Sequence, residues 1–174
     1  MSGRSKGFWA KIGVGVAGAA LVVAGATAAT TAADVNDAKN APPASVTVQT
    51  RNGPNGAYLT DGQGRSLYLF VADTGNTSTC NGACAAQWPP LVTQGAVVAG
   101  NGVDAGKLAT SNRQDNTKQA TYNNHPLYYF VADTSPGQTN GQGVNAFGAL
   151  WWLVNPNGDA ITSGGQSPAG GVTY

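Results

Sequence analysis

One phrase occurs twice in this chain, and that repetition constrains the fold more than any other feature. Residues 67–74 read LYLFVADT and residues 127–134 read LYYFVADT, sixty residues apart with seven of eight positions identical. A match of that quality marks a duplicated structural unit, so each half is to be read against the other. On a strand, Tyr68 and Phe70 point to one face and Leu67, Leu69 and Val71 to the other. The second copy repeats this with Tyr128 and Phe130 against Leu127, Tyr129 and Val131. Both faces are largely apolar, which predicts a central strand buried on both sides. The tyrosines are then core residues whose hydroxyls must find partners.

Composition agrees with a β fold. All eight acids are Asp, Glu is absent, and Gly, Asn, Thr, Gln and Pro are abundant. Strong helix formers are scarce and turn formers plentiful. At 174 residues the chain suits one domain, or two small repeats sharing one core. We expect an all-β domain over residues 46–162, built from duplicated hairpins at about 56–91 and 117–155. These would pack as a compact antiparallel sandwich or barrel-like body.

The N-terminus is of another kind. Arg4, Lys6 and Lys11 precede an uncharged stretch rich in Ala, Gly and Val from Ile12 to Ala33. This is the pattern of an export signal, expected as a helix over residues 1–33. Ala26-Thr27-Ala28 and Thr31-Ala32-Ala33 offer cleavage sites; an uncleaved anchor is the alternative. Either way the rest of the chain is placed outside the cytoplasm. Residues 34–45, with Pro42-Pro43, read as an extended linker, and residues 163–174 as a flexible Gly-rich tail. Beyond residue 33 six bases face eight aspartates, a net charge of −2. That excludes a basic nucleic-acid surface, and contact with a membrane is expected only through an uncleaved N-terminal segment.

Along the chain, Ser45–Thr50 alternates as a strand and Asn52–Gly56 reads as a turn. Ala57–Thr60 reads as a strand returning through Asp61–Gly64 into the first repeated strand, Ser66–Ala72. Ala83–Trp88 suits one helical turn before Pro89-Pro90 stops it. Leu91–Ala99 holds a candidate strand, and residues 106–113 read as a strand or an irregular segment. Lys118–Tyr122 is a strand, Asn123-Asn124 a two-residue hairpin turn, and Pro126–Ala132 the return. Leu150–Val154 is an apolar strand, followed by a turn at Asn155–Gly158 and a last extended segment.

The candidate functional residues are few. Cys80 and Cys84, the two cysteines of the chain, are expected to form a disulfide in an exported protein. Their loop is short, so the bridge is worth only about 2 kcal/mol by the chain-closure model. A redox dithiol is the alternative. Asp73 and Asp133 are read chiefly as turn formers; paired carboxylates for acid–base work are the rival reading. His125 is the sole histidine and sits in a hairpin turn. With so few ligand residues no metal site is expected, and no cofactor. Trp151 and Trp152 are adjacent on a strand and must face opposite ways. Trp151, Trp152, Tyr128 and His125 are therefore the candidate binding residues, suited to stacking on a glycan or to a cell-envelope partner.

Several motifs in order resemble a known family. Tyr68/Phe70/Asp73 recurs as Tyr128/Phe130/Asp133, with Cys80-Asn-Gly-Ala-Cys84 and Trp88-Pro-Pro-Leu91 between the copies. Tyr122-Asn-Asn-His-Pro-Leu-Tyr128, Thr139–Gly143 and the Trp-Trp strand follow. Over about residues 56–155 the chain resembles the bacterial "secreted repeat of unknown function" family, predicted lipoproteins with a Y-x-x-x-x-D motif. The resemblance implies an exported envelope protein of tandem repeats and brings no activity, catalytic residue or cofactor. No cysteine precedes Cys80, so the chain departs from the lipid-anchored members. The expected function is an exported, non-catalytic binding or structural module. An extracytoplasmic redox or electron-transfer accessory using Cys80, Cys84 and nearby aromatics is the alternative.

Overall fold

In the computed structural model, which describes residues 44–162, the alternating run that begins at Val46 is strand β1 (Val46–Gly53). The expected signal, the linker as far as residue 43 and the tail from residue 163 lie outside the described residues. β1 turns at Pro54-Asn55 into β2 (Gly56–Asp61), and the pair runs antiparallel from Val48↔Asp61 to Gly53↔Gly56. The other strands are β3 (Tyr68–Phe70), β4 (Val92–Thr93), β5 (Val97–Ala99), β6 (Leu108–Asn112), β7 (Lys118–Tyr122), β8 (His125–Pro126), β9 (Asn145–Ala146) and β10 (Ala149–Leu153). A short α-helix, α1 (Ala83–Gln87), is followed by Trp88-Pro89-Pro90, where proline forbids its continuation. The fold is all-β and loop-rich, as the composition predicts. Its sheets are small and open, in the orders β2-β1-β5, β3-β10-β9 and β4-β7-β6 with β8 beside β7. Among the described residues no sheet closes into a barrel. Nor is the pairing wholly antiparallel: β5 runs parallel to β1 from Val46↔Val97 to Val48↔Ala99. The chain reaches β5 by a long excursion rather than a hairpin, which permits either direction.

The pairing of the repeated strand differs from the expected hairpin. β2 spends its ladder on β1, and meets the next segment at the single bridge Thr60↔Ser66, through Asp61 N to Arg65 O and Leu67 N to Leu59 O. β3 instead lies between β10, with Trp151 opposite Phe70, and the second copy of its own sequence. There the Tyr68 and Tyr128 backbones exchange two hydrogen bonds of 2.9 and 3.0 Å. A strand apolar on both faces gains most from this central place; all three β3 residues are buried. The second copy is flanked in turn by residues 87–91, with Val131 N bonding to Gln87 O and Leu91 N to Leu127 O. These bonds match Val71 N to Leu150 O and Val154 N to Leu67 O in the first copy. The two units are thus related by a local two-fold through the Tyr68–Tyr128 pair. The second copy is not a regular strand beyond β8, because its neighbour contains Pro89 and Pro90, which have no N–H to donate.

Two core clusters lie on the two sides of this central layer. One is aromatic and holds Tyr58, Tyr68, Phe70, Trp88, Tyr128 and Trp151 with the cysteines. The other is aliphatic, with Leu59, Leu67, Leu69, Leu91, Leu127 and Val154. Alternation along LYLF and LYYF sorts the side chains into these sets.

Candidate functional site

The aromatic face is where the repeated residues meet. Phe70 stacks on Trp151, Trp151 on Trp88, and Trp88 on Phe130, with ring centroids 4.1, 4.0 and 4.1 Å apart. Each Phe packs on the Trp of the other repeat, and the two Trp meet at the centre. Tyr68 stands edge-on to Trp88 at 5.5 Å and Tyr128 edge-on to Trp151 at 5.1 Å. Edge-to-face and offset contacts are the favoured arrangements of aromatic pairs.

The hydroxyls and carboxylates of the motif also pair across the repeats. Tyr68 donates to Asp133 Oδ2 at 2.6 Å, and Tyr128 donates to Asp73 Oδ2 at 2.6 Å. The other oxygen of each carboxylate fixes its own loop. Asp73 Oδ1 accepts from the Thr79 amide and hydroxyl, and Asp133 Oδ1 accepts from the Asn140 amide. Asp73 and Asp133 therefore shape the loops that follow them and, through Oδ2, clamp the opposite repeat. Each faces a tyrosine, and no hydrogen bond joins the two carboxylates. Burial pushes both carboxyl groups above their ordinary range; the loop and tyrosine hydrogen bonds only partly oppose it. Burial, reinforced by the facing carboxylates, also raises the Tyr68 and Tyr128 hydroxyls.

The Tyr128 end carries a further network. Arg113, buried, donates to Ser78 Oγ, Gln119 Oε1 and the Cys80 carbonyl, each at 2.7 Å. The Ser78 and Tyr128 hydroxyls are 2.7 Å apart. One proton order satisfies the chain: Arg113 donates to Ser78, Ser78 to Tyr128, and Tyr128 to Asp73. Cys80 and Cys84 form a disulfide with Cα atoms 5.2 Å apart, and both residues are buried. The bridge holds the Cys80 carbonyl where the guanidinium needs it. At the Tyr68 end the amide of Gly141 donates to the tyrosine hydroxyl. A Cβ on Gly141 would stand 2.8 Å from the Trp88 ring and 2.9 Å from the Tyr68 ring, so the loop closes on the stack only with glycine there.

Of the expected binding residues, Trp151 and Tyr128 are completely buried and present no surface to a ligand. Trp152 faces the other way, as strand parity requires, and is half-buried against the aliphatic cluster. His125 is half-buried beside the Asn123-Asn124 turn, where both Asn have positive φ. Opposite Trp152 lies Leu69 of β3, and opposite Leu150 lies Val71, just past the end of β3. Leu150 and Val71 are 36% and 54% exposed, so this apolar face runs out of the core into solvent. At the tip of the β9–β10 hairpin Phe147 is 41% exposed with φ +57°, followed by Gly148 at φ +89°. Two positive φ values make a tight hairpin turn in which Asn-Gly is the ordinary choice.

Arg113, Phe147 and Gly141 escaped the sequence reading. Phe147 has a trace in the sequence, an aromatic directly before Gly148 between two strand-like runs, and Gly141 lies within the Thr139–Gly143 motif. A second polar group surrounds Asp61, which accepts from Arg65 and from the Tyr129 hydroxyl, while the Arg65 guanidinium lies 4.0 Å over the Tyr129 ring. Arg65, Ser66, Pro89, Tyr129, Phe130 and Asp133 border a shallow cleft of about 240 Å³. Among the described residues no three His, Cys or Asp side chains gather to hold a metal, and no helix is long and apolar enough to cross a membrane.

A family model described as "secreted repeat of unknown function" matches residues 49–92 and 109–155, one copy per repeat and more than half of the chain. The chain belongs to this family of secreted repeats. The boundaries agree with the duplicated hydrogen-bond pattern, and the family description places the protein outside the cytoplasm. No curated protein and no solved structure matches the chain.

Proposed function

We propose that this secreted-repeat protein is a non-catalytic module that binds a glycan or cell-envelope partner through its exposed apolar residues: Phe147, on the β9–β10 turn, and Leu150 and Val71, on the face that Trp152 continues. Phe147 carries the reading. An exposed Phe in a left-handed turn position costs about 1–2 kcal/mol that Asn or Gly would avoid. A residue that is costly to the fold and contributes little to the core is best explained by contact with something else. Trp152 extends the same face inward, and aromatic and aliphatic groups in a polar surround suit the apolar face of a sugar ring. The non-catalytic part of the reading rests on the motif hydroxyls and carboxylates, which are engaged with one another; Asp133, at the rim of the cleft, has both oxygens occupied by Tyr68 and Asn140. Thiol exchange has less support, because both cysteines are buried and an attacking thiolate needs access to a sulfur.

Sedimentation with purified peptidoglycan and affinity electrophoresis in wall polysaccharides test this. The protein should be retained, and Phe147→Ala should weaken retention about tenfold, a loss of about 1.4 kcal/mol. Absence of binding to every envelope fraction, or binding indifferent to Phe147→Ala and Leu150→Ser, would overturn it.

A further inference from the structure

The aromatic core has a property that packing alone does not require. Tyr68, Trp88, Trp151 and Tyr128 form an unbroken series of the two side chains most easily oxidised by one electron, each in ring contact with the next. Both ends of the series carry a carboxylate 2.6 Å from the phenol oxygen. A phenol loses an electron readily only if its proton leaves at the same time, and a carboxylate at hydrogen-bond distance is a suitable acceptor. The tryptophans have no such acceptor: Trp88 Nε1 has no partner, and Trp151 Nε1 donates to the Ala146 carbonyl, which cannot take a proton. Oxidation at either indole is therefore transient, and the tyrosines are where it comes to rest.

We propose that this array is a one-electron relay, with Tyr68–Asp133 and Tyr128–Asp73 as its two terminal stations. A one-electron oxidant, such as a metal complex or an oxygen-derived radical, reaches the cleft beside Phe130, whose ring stacks on Trp88. It takes one electron from Tyr68 through Trp88, and the phenolic proton moves to Asp133, leaving a neutral tyrosyl radical and a carboxylic acid. An electron from Tyr128 then passes through Trp151 and Trp88 to the Tyr68 radical, which recovers its proton from Asp133. The Tyr128 proton moves to Asp73. One oxidising equivalent has crossed between repeats, and an electron donor of the phenol or enediol class returns Tyr128 to its starting state. Both carboxylates are partly exposed, so the protons equilibrate with water. This activity is independent of the surface-binding role.

The test is laser flash-quench oxidation of the full chain by photogenerated ruthenium(III) tris-bipyridine, followed by transient absorption and electron paramagnetic resonance. The folded protein should show a short-lived tryptophanyl signal decaying into a tyrosyl radical. That radical should persist about tenfold longer than in the urea-unfolded chain. The Tyr68→Phe/Tyr128→Phe variant, which keeps every ring and Tyr58, Tyr122 and Tyr129, should lose the long-lived radical. Asp133→Asn should lower its yield. A tyrosyl lifetime equal in the folded and unfolded wild type would overturn the relay. So would an unchanged signal in the double variant, whose folding is checked by near-ultraviolet circular dichroism. The first comparison uses only wild-type protein and holds even if a variant fails to fold.

Discussion

At the scale of single residues, the aspartates of the repeated phrase each do two jobs, and their protonation tells on stability. Asp73 and Asp133 are held above the ordinary carboxyl range by burial. The folded chain therefore binds these protons more tightly than the unfolded one. The stability they confer is fully present below the ordinary carboxylate value of about 3.9 and is lost as pH rises through the raised folded values. In urea titrations the wild type should accordingly gain on an Asp73→Asn/Asp133→Asn variant as pH falls through that window. Tyr68 and Tyr128 are raised in the same sense, so their contribution is whole below about pH 10 and declines in more alkaline solution. Phe147 is the counter-example, a residue the fold tolerates at a cost. Phe147→Asn should raise unfolding stability by about 1 kcal/mol while weakening partner binding. Lower stability in that variant would mean the ring packs on the body after all.

At the scale of elements, the loops that follow the repeated phrase are tied to the core by hydrogen bonds of their own. The Ser135–Gly143 loop returns to the core at Gly141, where there is no room for a methyl group against Trp88 and Tyr68. Gly141→Ala should cost about 1–3 kcal/mol in denaturant unfolding, as overpacking does, and should disturb the near-ultraviolet signal of the tryptophans. Much of this level was legible in the sequence. β1, β7, the Asn123-Asn124 turn and the helical turn before Pro89 lie where alternation, turn chemistry and proline punctuation put them. The partner of β3 was not legible, because period two fixes which face a side chain takes but not which strand lies beside it. The opposed faces of Trp151 and Trp152 follow from parity. That the buried one is Trp151 depends on its being the counterpart of Trp88, which the sequence spacing obscures.

At the scale of the whole molecule, the duplication amounts to mutual dependence. Every stacked ring pair and both tyrosine–carboxylate bonds join one repeat to the other. Neither unit buries its aromatic face alone, as expected of repeats that share a core. Strand parity within one copy suggests that Tyr and Asp lie apart; the bonds are made between copies, Tyr68 to Asp133 and Tyr128 to Asp73, where parity has no say. A double-mutant cycle tests this reciprocal clamp most directly. Tyr68→Phe, Asp133→Ala and the double variant are compared by urea unfolding, with Tyr128/Asp73 as the second pair and Tyr68/Asp73, within one repeat, as the control. Coupling of about 1–2 kcal/mol is expected for each cross-repeat pair and less than about 0.5 kcal/mol for the control. Coupling that is absent across the repeats, or that appears within one repeat instead, would contradict it.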